Sequence, residues 1–214
     1  MTSLHHFPIY IGKMRFLLLY ALVLLTGICN AQTDYQNYMQ QYRDSINQEF
    51  GDPELSILDE ADIKEFKGLD FFPVSKRFVV KAKVETIVDG EIFEMATSTE
   101  RRPKYKPAIK LIFEIEGKPQ ELIAYQSVKL SEDPEYVNYL FLPFTDQTNG
   151  DESYGGGRYL ELDESAFSDF AEIDFNKCYN PYCSYNGKYS CPVPPKENRL
   201  NVKIEAGVKA YNNH

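Results

Sequence analysis

From Arg77 onward, apolar residues recur at every second position, and that period constrains the fold more than any other feature of the chain. Phe78, Val80, Ala82 and Val84 alternate with Val79, Lys81, Lys83 and Glu85. Successive strand side chains point to opposite faces, so this alternation predicts a strand with one face in a core. Asp89-Gly90 has the form of a hairpin turn, with Ile92 to Thr97 returning. Ile109, Leu111, Phe113 and Ile115 repeat the pattern, Glu116-Gly117 turns, and Glu121 to Val128 returns. Tyr139 to Phe144, Arg158 to Leu162 and Ala171 to Phe175 are further short strands, and Leu200, Val202, Ile204 and Ala206 alternate in a last one. About eight strands joined by short turns predict a mainly β domain, an antiparallel sandwich or barrel-like sheet.

Two short helices are expected ahead of it. Tyr35, Tyr38, Met39, Tyr42, Ile46 and Phe50 form one stripe at three- and four-residue spacing. Thr33 and Gln36 have the form of a capping box, and Gly51 and Pro53 end the helix. A shorter helix is expected from Asp59 to Phe66, closed by Gly68.

The start of the chain reads as an export signal. Met14-Arg15 precedes the apolar stretch Phe16 to Leu25, and Cys29-Asn30-Ala31 places small residues before a cleavage after Ala31. The apolar run is about 13 residues, short of the ~20 that a spanning helix needs. A retained anchor and a lipoprotein lipidated at Cys29 are the alternatives, and Met14 is an alternative initiator. The division that follows is 1–31 signal peptide, 32–56 helical segment and 57–214 a single β-rich domain. The expected location is periplasmic or extracellular. Cleavage would remove Lys13 and Arg15 and no acid, taking the formal charge from −9 to −11. Such a surface repels phosphate backbones, so nucleic acid is not an expected partner, and no other segment reads as membrane-spanning.

Chemistry is narrowed by what the mature chain lacks. The histidines are His5, His6 and the C-terminal His214, so the body of the domain has none. Ser-His-Asp and Cys-His nucleophilic catalysis in their usual forms are excluded, as are zinc sites built on histidine. Acid–base work would fall to Asp, Glu, Tyr, Lys or Cys. No cofactor or metal is implied. Three cysteines remain, Cys178, Cys183 and Cys191. In an oxidising compartment two are expected to pair, Cys183–Cys191 being the favoured pairing. Cys178 is then a buried apolar side chain or a reactive thiol, and a three-thiolate metal site is the remaining alternative.

The most unusual loop runs from Asp146 to Arg158. An EF-hand starting at Asp146 would need glycine at its sixth position, where Asp151 stands. Gly155, Gly156 and Gly157 followed by Arg158 form a candidate anion loop; the alternative is a tight turn with Arg158 paired to a structural carboxylate. Asp146, Glu152, Arg158, Asp174, Asn176 and Asn180 are the ligand-binding candidates. Tyr154, Tyr179, Tyr182, Tyr185 and Tyr189 are candidates to wall such a pocket. Carboxylates flanked by tyrosines suit a small polar or sugar-like ligand.

Several long motifs carry a resemblance. Phe141-Leu142-Pro143-Phe144-Thr145-Asp146, Tyr154-Gly155-Gly156-Gly157-Arg158-Tyr159-Leu160 and Asp174-Phe175-Asn176-Lys177-Cys178-Tyr179-Asn180-Pro181-Tyr182-Cys183 are similar to the DUF1684 family. Cys191-Pro192, Glu197-Asn198-Arg199-Leu200, Ala206-Gly207 and Leu69-Asp70-Phe71-Phe72-Pro73 extend the resemblance over roughly residues 40–211. It implies a domain of unknown function and brings no catalytic residues. It also implies Cys183–Cys191 as the family's pair, with Cys178 a local extra. The function these readings favour is a non-enzymatic binding or structural module acting on a small molecule or envelope component. The alternative is a carboxylate-dependent, hydrolase-like enzyme.

Overall fold

The computed structural model describes residues 33–211. The expected export signal, residues 1–31, lies outside the described residues. The chain divides into two units, one ending at Ile46 and one running from Asn47. Residues 33–51 are helical (α1), as the stripe and its Gly-Pro stop predict. In the first unit, Gln40 donates to Asp44 one turn ahead at 2.8 Å.

The second unit opens with a short helix and is otherwise built on β-structure. Helix α2 covers Glu60–Glu65, capped by the Asp59 carboxylate, which accepts from the Ala61 and Asp62 amides. The strands are β1 (Val79–Thr86), β2 (Phe93–Glu94), β3 (Lys104–Ile115), β4 (Lys118–Ser127), β5 (Tyr139–Phe144), β6 (Arg158–Asp163) and β7 (Phe170–Asp174). They form one antiparallel sheet in the order β6-β5-β4-β3-β1-β7, with β2 also on β3. The sheet curls into half a barrel, so of the two expected architectures the barrel-like one is observed.

Two of the expected strands behave differently. Asp89-Gly90 does not fold β2 back onto β1. Instead β1 and β2 run one after the other along the same edge of β3, with Thr86 opposite Ile109 and Phe93 opposite Tyr105. The Asp89-Gly90 turn marks a break in this edge opposite Pro107, where β3 itself shifts register. Pro107 has no N–H for the ladder. Gly90 packs so closely there that a Cβ would fall 2.4 Å from the Pro107 carbonyl.

The second difference is at the C-terminus. Leu200, Val202, Ile204 and Ala206 all enter the main core, as their alternation predicts, yet the segment is not a strand of the sheet. Its backbone bonds go largely to side chains and isolated loop groups. The Asn201 amide donates to Gln120 Oε1 at 3.0 Å and the Ile204 amide to Asp146 Oδ1 at 3.1 Å. The Leu200 amide donates to the Thr145 carbonyl and the Gln147 amide to the Val202 carbonyl. This segment packs with the apolar face of the sheet in a core that includes Val80, Leu111, Leu122, Leu142, Phe144 and Ile173.

A buried asparagine holds the weakest seam of the sheet. The β4–β5 ladder has a single residue pair, Tyr125 opposite Phe141. Asn198 accepts from the Ile123 amide at 2.8 Å and donates to the Ile123 and Pro143 carbonyls at 2.8 and 2.7 Å. One side-chain amide thus replaces a backbone partner for both strands. Truncation to Ala would leave these buried groups unpaired, at about 1–3 kcal/mol each. Asn198→Ala should therefore lower the urea unfolding midpoint by the equivalent of at least ~2 kcal/mol. Asn138→Ala, at an exposed position, serves as the control and should stay near wild type.

Candidate functional site

The loop from Asp146 to Arg158 turns inward. Gly157 has φ +92°, and a Cβ there would meet the Phe144 carbonyl at 2.6 Å and Pro194 at 2.7 Å. Only glycine suits both the left-handed backbone and this close approach. It delivers Arg158 into β6 with its guanidinium fully buried. Arg158 donates to Asp146 Oδ2 at 2.7 Å, to the Ile204 carbonyl at 2.7 Å, and to the Ala206 carbonyl. The Phe72 and Phe144 rings lie 5.7 and 5.6 Å from it. The other Asp146 oxygen accepts from the Thr148 and Ile204 amides. Thr148, Ser153 and Asn149 complete a closed network beneath it.

The expected ligand-binding residues therefore occupy several places. Asp146 and Arg158 are brought together as a buried ion pair with no face to solvent. Glu152 is on the surface, where Lys203 donates to it at 2.6 Å. Asn176 pairs through both ends of its amide with the Ser75 backbone and donates to Asp174 Oδ1. Asn180 donates to the Lys209 carbonyl at 2.8 Å. In the glycine triplet, Gly156 packs against the Tyr154 ring and the Gly157 N–H donates to the Tyr154 carbonyl.

The cysteine expectation is corrected. Cys178, Cys183 and Cys191 are all free thiols in the structure, so the Cys183–Cys191 bridge is not formed. The two sulfurs are neighbours, with the Cys183 amide donating to Cys191 Sγ at 3.1 Å. Cys178 lies apart in the main core, its thiol donating to the Ala206 carbonyl. Among the described residues, no group of three or more His, Cys, Asp or Glu is placed to hold a metal ion.

The second face of the sheet carries a different feature. Tyr125, Phe141 and Tyr159 point away from the main core and join Met95 in a separate aromatic cluster. Over it opens a cavity of about 270 Å³ whose lining includes Tyr105, Tyr139, Tyr159, Tyr179, Tyr182 and Tyr189. Arg101, Glu161, Ser190 and Cys191 supply the polar groups. The rings brace one another edge to face: Phe141 with Tyr159 at 4.7 Å, Tyr159 with Tyr179 at 5.8 Å, and Tyr182 with Tyr189 at 5.4 Å. Tyr179 donates to Glu161 at 2.7 Å, and Arg101 donates to the Ser190 carbonyl at 2.6 Å. Burial pushes the phenols of Tyr105, Tyr139, Tyr159, Tyr179 and Tyr182 upward, so all five stay protonated at neutral pH. A wider depression of about 430 Å³ lies at β7, lined by Lys81, Phe167, Phe170 and Glu172 among others. The tyrosine cavity is the stronger candidate, because apolar walls and convergent polar groups coincide there.

Three of the tyrosines expected as walls, Tyr179, Tyr182 and Tyr189, do line this cavity. Tyr185 instead packs on Phe50 and Tyr211, and the Tyr154 ring lies over Gly156. Tyr105, Tyr139, Tyr159, Arg101 and Glu161 were not singled out from sequence. For those on β5 and β6 the signal was the outward set of strand positions: Tyr139 and Phe141 alternate with Leu140 and Leu142, and Tyr159 and Glu161 alternate with Arg158 and Leu160.

The Arg158 network differs from an ordinary ion pair in what it leaves behind. Asp146→Asn would strand a buried guanidinium, at a cost of about 3–5 kcal/mol. The double variant Asp146→Ala, Arg158→Met removes both charges but also the partners of the Thr148 and Ile204 amides and the Ile204 and Ala206 carbonyls. It should be no more stable than the single variant in urea unfolding, whereas a simple ion pair would show rescue.

No curated protein matches the chain. The solution NMR structure of an uncharacterised protein from Haloarcula marismortui, gene locus rrnAC0354, is similar at 31% identity and TM-score 0.65, over 86% of this chain and 99% of that one. The family described as protein of unknown function (DUF1684) matches residues 64–209. The chain belongs to the DUF1684 family.

Proposed function

We propose that this is an exported binding domain that holds a small polar or sugar-like ligand of about one ring in the tyrosine cavity. The observation that carries the reading is the convergence of six tyrosines, one guanidinium and one carboxylate around about 270 Å³. That volume is just below the ~300–1,000 Å³ typical of drug-sized sites. Aromatic faces would cover the C–H faces of a ring, while Arg101, Glu161 and the phenol groups bond its polar edge. Glu161 is the one carboxylate among the lining residues. Hydrolysis of a glycosidic bond ordinarily uses a pair, so the arrangement favours binding over the carboxylate-dependent hydrolase.

Export is supported by the basic, apolar and small-residue pattern ahead of Gln32. Among the described residues, no helix is long and apolar enough to cross a membrane. The acidic balance of the chain favours a small molecule or envelope component over nucleic acid.

A thermal-shift screen of mono- and disaccharides and small polar ring compounds tests the binding site. A ligand present at about 100 times its Kd should add ~2.7 kcal/mol to stability and raise Tm. Tyr182→Ala and Glu161→Gln alter exposed residues, so both variants should fold yet lose the shift. A shift that survives both substitutions places the ligand elsewhere, and no shift with any compound overturns the reading. N-terminal sequencing of the protein from fractionated cells should find Gln32 first, outside the cytoplasm.

A further inference from the structure

Cys183 and Cys191 lie beside the tyrosine cavity in an arrangement that the ligand reading does not use. Cys191 is buried, lines the cavity, and belongs to a segment stitched to Ser98: the Ser98 amide donates to the Cys191 carbonyl at 2.8 Å and the Cys191 amide to Ser98 Oγ at 3.1 Å. Cys183 sits half-exposed in the middle of the turn Tyr182–Ser184. Cys191, Ser98 and Tyr154 are its neighbours, and together they lower the Cys183 thiol below its ordinary value. Its own amide donates in turn to Cys191 Sγ at 3.1 Å. Two neighbouring thiols, one reachable and the other buried behind it, differ in kind from Cys178. That thiol is wholly buried in the main core, and burial pushes it up to about 11.

We propose that Cys183 and Cys191 form a thiol–disulfide exchange site for low-molecular-weight disulfides, with Cys183 the attacking thiolate and Cys191 the resolving thiol. In the first step the Cys183 sulfur attacks one sulfur of a small disulfide RSSR. The reagent's S–S bond breaks, RS⁻ leaves with the electron pair and takes a proton from water, and a mixed disulfide Cys183–S–S–R remains. In the second step the Cys191 thiol loses its proton and attacks Cys183 Sγ, expelling the second RS⁻, which that proton completes. The protein dithiol is oxidised by two electrons, and RSSR is reduced to two RSH.

The surroundings supply the asymmetry that this order requires. Exposure sets the order: Cys183 is half-exposed and Cys191 buried, and the neighbours of Cys183, Cys191 foremost, outweigh burial and lower it to about 6, which favours its thiolate. Cys191 is pushed the other way, upward, chiefly by the neighbouring Cys183 and by burial. Once Cys183 is in a mixed disulfide it carries no negative charge to hold the Cys191 proton, and the resolving thiol is released to ionise.

The test uses the reduced full chain and 5,5′-dithiobis(2-nitrobenzoate) as the disulfide. Wild type should release two equivalents of nitrothiobenzoate and end with a Cys183–Cys191 bridge. Cys191→Ser should release one equivalent and stay as a stable adduct mapped by mass spectrometry to Cys183. Cys183→Ser should react at least about tenfold more slowly, and Cys178→Ser should match wild type. The wild-type rate should be lost as pH falls through about 6, because the thiolate is protonated. That midpoint should move up in Cys191→Ser. Mapping the first adduct on wild type at short times assigns the attacking sulfur without relying on a variant that must fold. First labelling at Cys191 overturns the proposal. So does release that begins only in denaturant, or a finished bridge that reduced glutathione does not reopen.

Discussion

The buried Arg158 guanidinium is the contact on which the closure of this domain depends. An ionised group inside a core is tolerated where its charge is paired and most of its N–H groups are bonded, as here, where Nε alone is left without a partner. Asp146 supplies the charge and the carbonyls of Ile204 and Ala206 supply the acceptors. Those carbonyls belong to an extended C-terminal segment that has no strand beside it to bond them. The arginine therefore does for this segment what a neighbouring strand would do, and Asp146 does the same for the Ile204 amide. Asn198 and Asn176 repeat the device elsewhere, each matching a backbone N–H and C=O with one side-chain amide. Curling the sheet into half a barrel opens its ladders, and these buried polar side chains complete them.

The same two strands carry both the core and the candidate site. Along β5, Leu140, Leu142 and Phe144 join the main core while Tyr139 and Phe141 line the tyrosine cavity. Along β6, Arg158 and Leu160 turn inward while Tyr159 and Glu161 turn to the cavity. A side chain that anchors the fold is thus the chain neighbour of one that shapes the site. Anchoring on one face restricts the backbone from which the other face is displayed, which is how a rigid scaffold holds a binding site in position.

Most of the fold was legible in the sequence because its cause is local. Period-two alternation marks a strand wherever one face is buried, and β5, β6 and β7 stand within a residue of where that pattern puts them. Helix α2 stands where Asp59 caps it. The pairings were less legible. Asp89-Gly90 has hairpin chemistry, yet β2 continues β1 along β3 because Pro107 interrupts the ladder opposite the turn. The alternation of Leu200 to Ala206 correctly gave burial but not strand pairing, since alternation reports which face is buried and is silent on what bonds the backbone.

The sequence by itself determined an acidic, tyrosine-rich, mainly β chain with no histidine in its body and cysteines confined to one short stretch. These follow from residue identity and spacing alone. Only the tertiary structure decided that Arg158 is sealed inside with Asp146, that tyrosines from β3, β5, β6 and the later loops meet in one cavity, and that Cys183, partly exposed, and Cys191, buried, lie beside it. The physical reason is that burial and hydrogen-bond partners, which set whether a polar side chain is an anchor or a site, come from residues tens of positions apart. Arg158 reaches 48 positions along the chain to the Ala206 carbonyl, and no local pattern records that distance.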